Sequence, residues 1–223
     1  MNRTVRLRLP FTGTWLVQNS PARRVPSHGT ELLGSSWAID FVGVDGSGRS
    51  APGRDWRTVL ATEPPERFFA FGRAILAPAG GVVVAAHDGE EDHAARRSQL
   101  ALLPYMLGQP GRLRRGAAAL AGNHVVLQLE PGVFVALVHL RCGSIRVAVG
   151  DTVAAGRLLA ECGNSGNSTQ PHVHVQAMDS MDLAVARGLP LRFSSFREWP
   201  RRSSGPVDRG SGLPGEGSVV EPF

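Results

Sequence analysis

Between Gly122 and Ala177 the chain is divided into short apolar runs by closely spaced turn signals, and this stretch limits the possible fold more than any other feature. The runs His124–Glu130, Val133–Leu140, Ile145–Val147, Leu158–Cys162 and Val173–Ala177 are separated by Pro-Gly, Gly-Asp and Gly-Asn-Ser-Gly turns. Strands this short and this close predict an antiparallel β-sheet or flattened barrel, so the fold class is mainly β. Upstream, Trp37–Val42 reads as a strand, followed by a Gly-rich loop from Asp45 to Arg57. Ala74–Ala77 and Val82–Ala86 flank a Pro-Ala-Gly-Gly turn and predict a hairpin. Residues 94–120 are rich in Ala, Leu and Arg but broken by Pro104, Gly108 and Pro110, and read as a partly helical surface insertion. Residues 1–200 are expected to form one domain, with 201–223, rich in Arg, Ser, Gly and Pro, as a mobile tail with little to bury.

Composition removes several classes of function. All 24 basic residues are Arg, which against 19 acidic residues gives a net charge of +5. The absence of Lys excludes Schiff-base chemistry, biotinyl or lipoyl attachment and a P-loop. The sequence pI of about 10.7 invites a nucleic-acid partner. The arginines are scattered as singles and pairs, however, with no basic stripe and no interleaved stacking residues, so none is expected. Cys142 and Cys162 are too few for a disulfide framework or a four-thiolate metal site, leaving free thiols or a single bridge. The N-terminal segment carries positive charge at alternate positions and lacks the apolar run of a signal peptide, and no stretch is long enough to span a membrane. By these criteria the chain reads as soluble, with no visible export address.

Candidate chemistry gathers on histidines. In Pro171-His172-Val173-His174-Val175 the period of two of a strand puts both imidazoles on one face. His139 ends the alternating run that starts at Val133, in line with Val133, Val135 and Leu137. Asp40 lies between Ile39 and Phe41, where an ionised carboxylate needs a cation or several donors. His28, Asp40 and one of the His172/His174 pair can supply three N/O ligands and leave a fourth position open, the pattern of a catalytic zinc site. The other pair member and His139 are then free to handle protons. His87, His93 and His124 read as structural or solvated histidines, and Asp88 with Glu90, Glu91 and Asp92 as a solvated acidic turn. Gly163-Asn164-Ser165-Gly166 lacks the spacing of a nucleophile elbow.

Taken together, several runs resemble the lysostaphin/LytM-type zinc metallopeptidases. They are Gly122-Asn123-His124-Val125-Val126, Leu137-Val138-His139-Leu140, Val149 to Gly156, Gly163 to Ser168 and Pro171-His172-Val173-His174. The resemblance extends more weakly over residues 28–93. It implies the small antiparallel β core known as the duplicated hybrid motif, and Zn2+ held by His28, Asp40 and His174. It also implies His139 and His172 as the two non-ligand catalytic histidines, and cross-link or stem peptides of bacterial peptidoglycan as the substrate. A cell-envelope or secreted location follows from the same likeness. One departure stands out: eleven residues separate His28 from Asp40, and a loop through Gly34-Ser35-Ser36 has to bring them together. A rival reading is a non-catalytic peptidoglycan- or peptide-binding module on the same core. That all five family positions are filled favours the hydrolase.

Overall fold

A computed structural model describes residues 3–53, 58, 61–96, 117–203 and 205–223. The strands are β1 (Val5–Arg8), β2 (Trp15–Gln18), β3 (Ile39–Gly43), β4 (Ala74–Leu76), β5 (Gly81–His87), β6 (Asn123–Glu130) and β7 (Val133–Leu140). They continue with β8 (Thr152–Val153), β9 (Leu158–Glu161), β10 (Val173–Met178), β11 (Leu191–Trp199), β12 (Val207–Gly212) and β13 (Val219–Pro222). Eleven of them form one sheet in the order β1-β11-β13-β2-β3-β10-β7-β6-β5-β8, with β12 branching from β11. The mainly β expectation holds, and the pairing is antiparallel except between β1 and β11.

The alternation that defines the strands also sorts their side chains. Along β7, Val133, Val135 and Leu137 enter the principal core with Val125 and Leu127 of β6, Val173 and Val175 of β10, and Ile39 and Phe41 of β3. Aromatic contacts close that core, with Phe11 stacked on Trp15 at 4.5 Å between ring centroids and Phe41 edge-on to Phe193 at 5.4 Å. The intervening residues Val126, Ala136, Val138 and Met178 form a second apolar cluster on the opposite face. The central strands therefore carry apolar side chains on both faces, which explains the nearly continuous apolar run of β7. The β6–β7 hairpin turns through Pro131-Gly132, where Gly132 adopts a φ of 73° that few other residues tolerate.

Three expectations need correction. Ala74–Leu76 and Gly81–His87 are strands but not a hairpin: β4 pairs with β9 in a separate two-stranded sheet, while β5 pairs with β6 and β8. Ile145–Val147 forms no strand, although the Arg146 N–H donates to the Leu159 carbonyl. The segment 201–223 is not a mobile tail, because β13 lies between β11 and β2 and carries the fully buried Val220. The Pro and Gly residues around it make turns, and two valines suffice for a four-residue strand. Val220→Ala should therefore cost about 2 kcal/mol in a denaturant titration, whereas a dangling tail would give no change.

Of the insertion expected at 94–120, residues 97–116 lie outside the described residues. Its two ends are anchored. Ala95 is buried and bridges to Glu63, and Ala117–Ala121 forms a short helix, α1, leading into β6. Cys142 is exposed and Cys162 buried, and both thiols are free. Among the described residues no helix is long and apolar enough to cross a membrane.

Candidate metal centre

Pairing register carries a single row of side chains across the sheet. Asp40 of β3 pairs with His174 of β10, His174 with Val138 of β7, Val138 with His124 of β6, and His124 with His87 of β5. Asp40, His174, Val138 and His124 of this row line a cleft of about 740 Å³, together with Ala136, Val126 and Met178. His28 reaches the row from a loop. The Ser27 N–H donates to the Ser36 carbonyl at 3.0 Å, so the excursion between His28 and Asp40 starts and ends at one place, as in a compact Ω-type loop. Leu33 and Gly34 take left-handed φ values of 60° and 71° to make the reversal, and a Cβ on Gly34 would lie 3.0 Å from the Met178 Cβ.

The loop thus brings together the residues that sequence spacing left apart. One ligand atom from each of His28, Asp40 and His174 lies within 4.8 Å of the others. His28 Nε2 is 3.1 Å from Asp40 Oδ2, and His174 Nδ1 is 2.9 Å from Asp40 Oδ1. His172 stands further off, its Nε2 3.8 Å from Asp40 Oδ1. The ring centroids of His139 and His172 are 4.8 Å apart, and those of His139 and His174 6.1 Å. All five histidine and aspartate positions singled out in the sequence meet in one place.

Hydrogen bonds behind the rings fix their tautomers. Gln176 Nε2 donates to the Leu33 carbonyl at 2.9 Å, so Gln176 Oε1 faces His174 Nε2 at 3.0 Å and accepts its proton. His174 Nδ1 is left with a lone pair directed at Asp40. Ser27 Oγ donates to the Ser35 carbonyl and accepts from His28 Nδ1 at 3.0 Å, which likewise leaves a lone pair on His28 Nε2. His139 Nδ1 donates to the Ser165 carbonyl at 2.9 Å and His172 Nδ1 to the Gln170 carbonyl at 2.8 Å, freeing Nε2 of both. A neutral imidazole lone pair 2.9 Å from a carboxylate oxygen is repulsive unless a cation or proton sits with it, so the donor set fits a metal ion.

Burial alone would raise the Asp40 pKa, but His172, His174 and His28 together hold it well below the usual carboxylate range. Asn19 Nδ2 adds a donor to Asp40 Oδ2 at 2.7 Å. Burial, with His172 and His174 close by, pushes His139 well below the usual imidazole range.

His139 does not point where strict alternation puts it. Asn123 pairs with Leu140 and His124 with Val138, so His139 is the extra residue of a β-bulge and adopts a φ of 64°. The bulge turns the imidazole away from Val135 and Leu137 and into the cleft, then returns Leu140 to the core. A left-handed conformation at a non-glycine residue is strained, and it is placed where the ring is needed.

Other residues are also better defined by the structure. Asn19 and Gln176 escaped the sequence reading. Gln176 could have been found, because it continues the alternation of His172 and His174 on one strand face, whereas nothing local marks Asn19. His124 lines the cleft, with its ring 5.4 Å from that of His87. Asp88 and Asp92 are not merely solvated: they accept from the backbone N–H groups of Gly143 and Ile145, and of Cys142 and Asn164, respectively.

The likeness drawn from the motifs holds in comparison with known proteins. The model of Peptidase family M23 matches residues 109–185. The catalytic domain of the antimicrobial peptidase lysostaphin from Staphylococcus simulans is 18% identical, with 72% of this chain and 86% of that chain covered at a TM-score of 0.39. A putative glycyl-glycine endopeptidase LytM from Ruminococcus gnavus is 14% identical, with 68% and 42% covered at 0.37. A zinc-containing peptidase from Vibrio cholerae is 18% identical, with 63% and 43% covered at 0.33. The chain thus spans less than half the length of the last two. No curated protein matches the sequence.

Proposed function

Taking as premise that residues 109–185 match Peptidase family M23, we propose that the protein is a zinc-dependent endopeptidase acting on the cross-link or stem peptides of bacterial peptidoglycan. The observation that carries the reading is the convergence of lone pairs from His28 Nε2, Asp40 and His174 Nδ1, beside two further imidazoles with Nε2 free. His28, Asp40 and His174 would hold the ion and leave part of its coordination shell open to the cleft. Bound zinc supplies Lewis acidity, which polarises a scissile carbonyl and makes water a competent nucleophile near neutral pH.

The remaining steps belong to the protein's own groups. Because their Nδ1 protons are committed to the Ser165 and Gln170 carbonyls, His139 and His172 act through Nε2. One imidazole Nε2 takes the proton from the attacking water, and the resulting imidazolium returns it to the leaving amine. The other takes a proton from solvent at Nε2, donates it in a hydrogen bond to the oxyanion of the tetrahedral intermediate, and returns it to solvent once the carbonyl re-forms. Val138, Ala136 and Val126 offer the peptide a floor without charge next to the reacting bond. Asn19 keeps Asp40 oriented through the 2.7 Å bond to Oδ2.

The test combines metal analysis with an assay for new amino termini released from purified peptidoglycan. One zinc per chain is expected, with hydrolysis lost on chelation and restored by zinc. Protein that takes up no zinc would overturn the metal assignment. Zinc-loaded protein that sediments with the polymer yet releases nothing from several cross-link types would replace the hydrolase with a binding module.

A further inference from the structure

The acidic segment after β5 has no part in the chemistry described above, yet its hydrogen bonds lead directly behind one of the two free imidazoles. We propose that Asp92 is a positioning residue that sets His139 for proton transfer by holding the two loops on which that ring depends. This rests on the reading of the site as a hydrolase only for its kinetic consequence.

The carboxylate bridges two backbone segments. Asp92 Oδ1 accepts from the Asn164 N–H at 2.6 Å, and Oδ2 from the Cys142 N–H at 3.0 Å. Asn164 precedes Ser165, whose carbonyl takes the His139 Nδ1 proton at 2.9 Å. Cys142 follows β7 by two residues, and the Gly163 N–H donates to the carbonyl of His139 itself at 3.0 Å. The same Ser165 is fixed from its other side. Its Oγ donates to the Leu140 carbonyl at 2.8 Å and accepts from the Asn123 N–H at 3.0 Å. Asp92 is thus one hydrogen bond and one peptide unit removed from the acceptor that chooses the His139 tautomer.

The geometry leaves little slack. A Cβ on Gly163 would collide with the Arg141 backbone and with Asp92 Oδ1, so the two loops approach each other as closely as glycine permits. Beside Asp92, Asn164 Nδ2 donates to the His93 carbonyl at 2.6 Å and His93 Nε2 donates to the Gly166 carbonyl at 2.9 Å, which ties the acidic segment to the 163–166 loop a second time. Asp88 supplies the contrast. It accepts from Gly143 at 2.8 Å and from Ile145 at 3.3 Å, and its partners among the described residues do not include 163–165. Charge-assisted bonds from two backbone donors to one carboxylate are the strong kind, and they matter here because His139 already sits in a left-handed conformation that its surroundings must enforce.

The experiment uses the zinc-loaded full chain, labelled with 15N in histidine, and compares Asp92→Ala, Asp92→Asn and Asp88→Ala. The hydrogen-bonded Nδ1 proton of His139 is read by NMR with that of His172 as internal control, beside kcat, KM and zinc content. In Asp92→Ala the His139 proton signal should broaden or vanish while that of His172 persists. Zinc stays at one per chain, KM changes little, and kcat falls on the order of 10- to 100-fold, the scale of a small misplacement of a reacting group. Asp92→Asn keeps one acceptor and turns an amide donor toward the other N–H, so it should lie between wild type and Asp92→Ala. Asp88→Ala should keep both signals and kcat.

Retention of the His139 signal and of kcat in both Asp92 variants overturns the proposal. A fall in kcat matched by loss of both imidazole signals makes Asp92 merely structural and also overturns it. Should wild type hydrolyse nothing, selective loss of the His139 signal in the Asp92 variants would still support the positioning role, and only the hydrolase reading would fail.

Discussion

Asp40→Asn protein is expected to purify folded, free of metal and inactive to the limit of detection. The amide matches the carboxylate in shape. Its oxygen can still accept from Asn19, and its NH2 can donate to the His174 Nδ1 lone pair that Asp40 Oδ1 now faces at 2.9 Å. What disappears is the anionic ligand that faces both His28 Nε2 and His174 Nδ1. His174→Ala should lose metal and activity together for the same reason. Elemental analysis, thermal melting and amino-terminus release, all measured on one preparation, separate these effects. A full equivalent of zinc in either variant would remove that residue from the ligand set.

His139→Ala and His172→Ala form the second pair of large effects, with the opposite metal result. Each should keep zinc and fold but lower turnover by roughly 10²-fold or more, the scale of a positioned acid or base. Because the two rings share one reaction, the double variant should lose much less than the product of the single losses. The distances set the division between neighbours on one strand face: His174 Nδ1 lies 2.9 Å from Asp40 Oδ1, while His172 Nε2 lies 3.8 Å away. If His172→Ala loses zinc while His174→Ala retains it, that division is reversed.

Much of this site was legible from local rules, and the illegible part has identifiable physical causes. Period-two alternation placed His172 and His174 side by side, and turn residues located β6, β7 and β10 to within one residue at each end. The family motifs then marked His28, Asp40 and His139. Alternation misdirected His139, however, because a bulge is decided by pairing with a neighbouring strand and leaves no trace in its own strand's pattern. The partner of β4 was missed because turn chemistry speaks only of adjacent segments, and β9 lies some eighty residues further along the chain. Strand β13 was hidden by the polar composition around it, although one valine aimed at the core, Val220, was enough. Asp92 looked like a solvated charge because its partners are backbone N–H groups, which no side-chain motif advertises.

The bulge at His139 also changes what a deletion would mean. With residue 139 excised, Val138 could remain opposite His124 and Leu140 opposite Asn123, and the ladder between β6 and β7 would lose its irregularity at this end, keeping only the one at Gln128–Glu130. Every core side chain of β7 would keep its partner across the strands. The lost imidazole is therefore the one member of the strand that the architecture does not require, carried as a supernumerary residue. A single in-frame codon loss would convert the protein into an inert sheet more regular than its parent. Strand regularity and chemical competence are opposed at this position, and the present sequence keeps the irregularity.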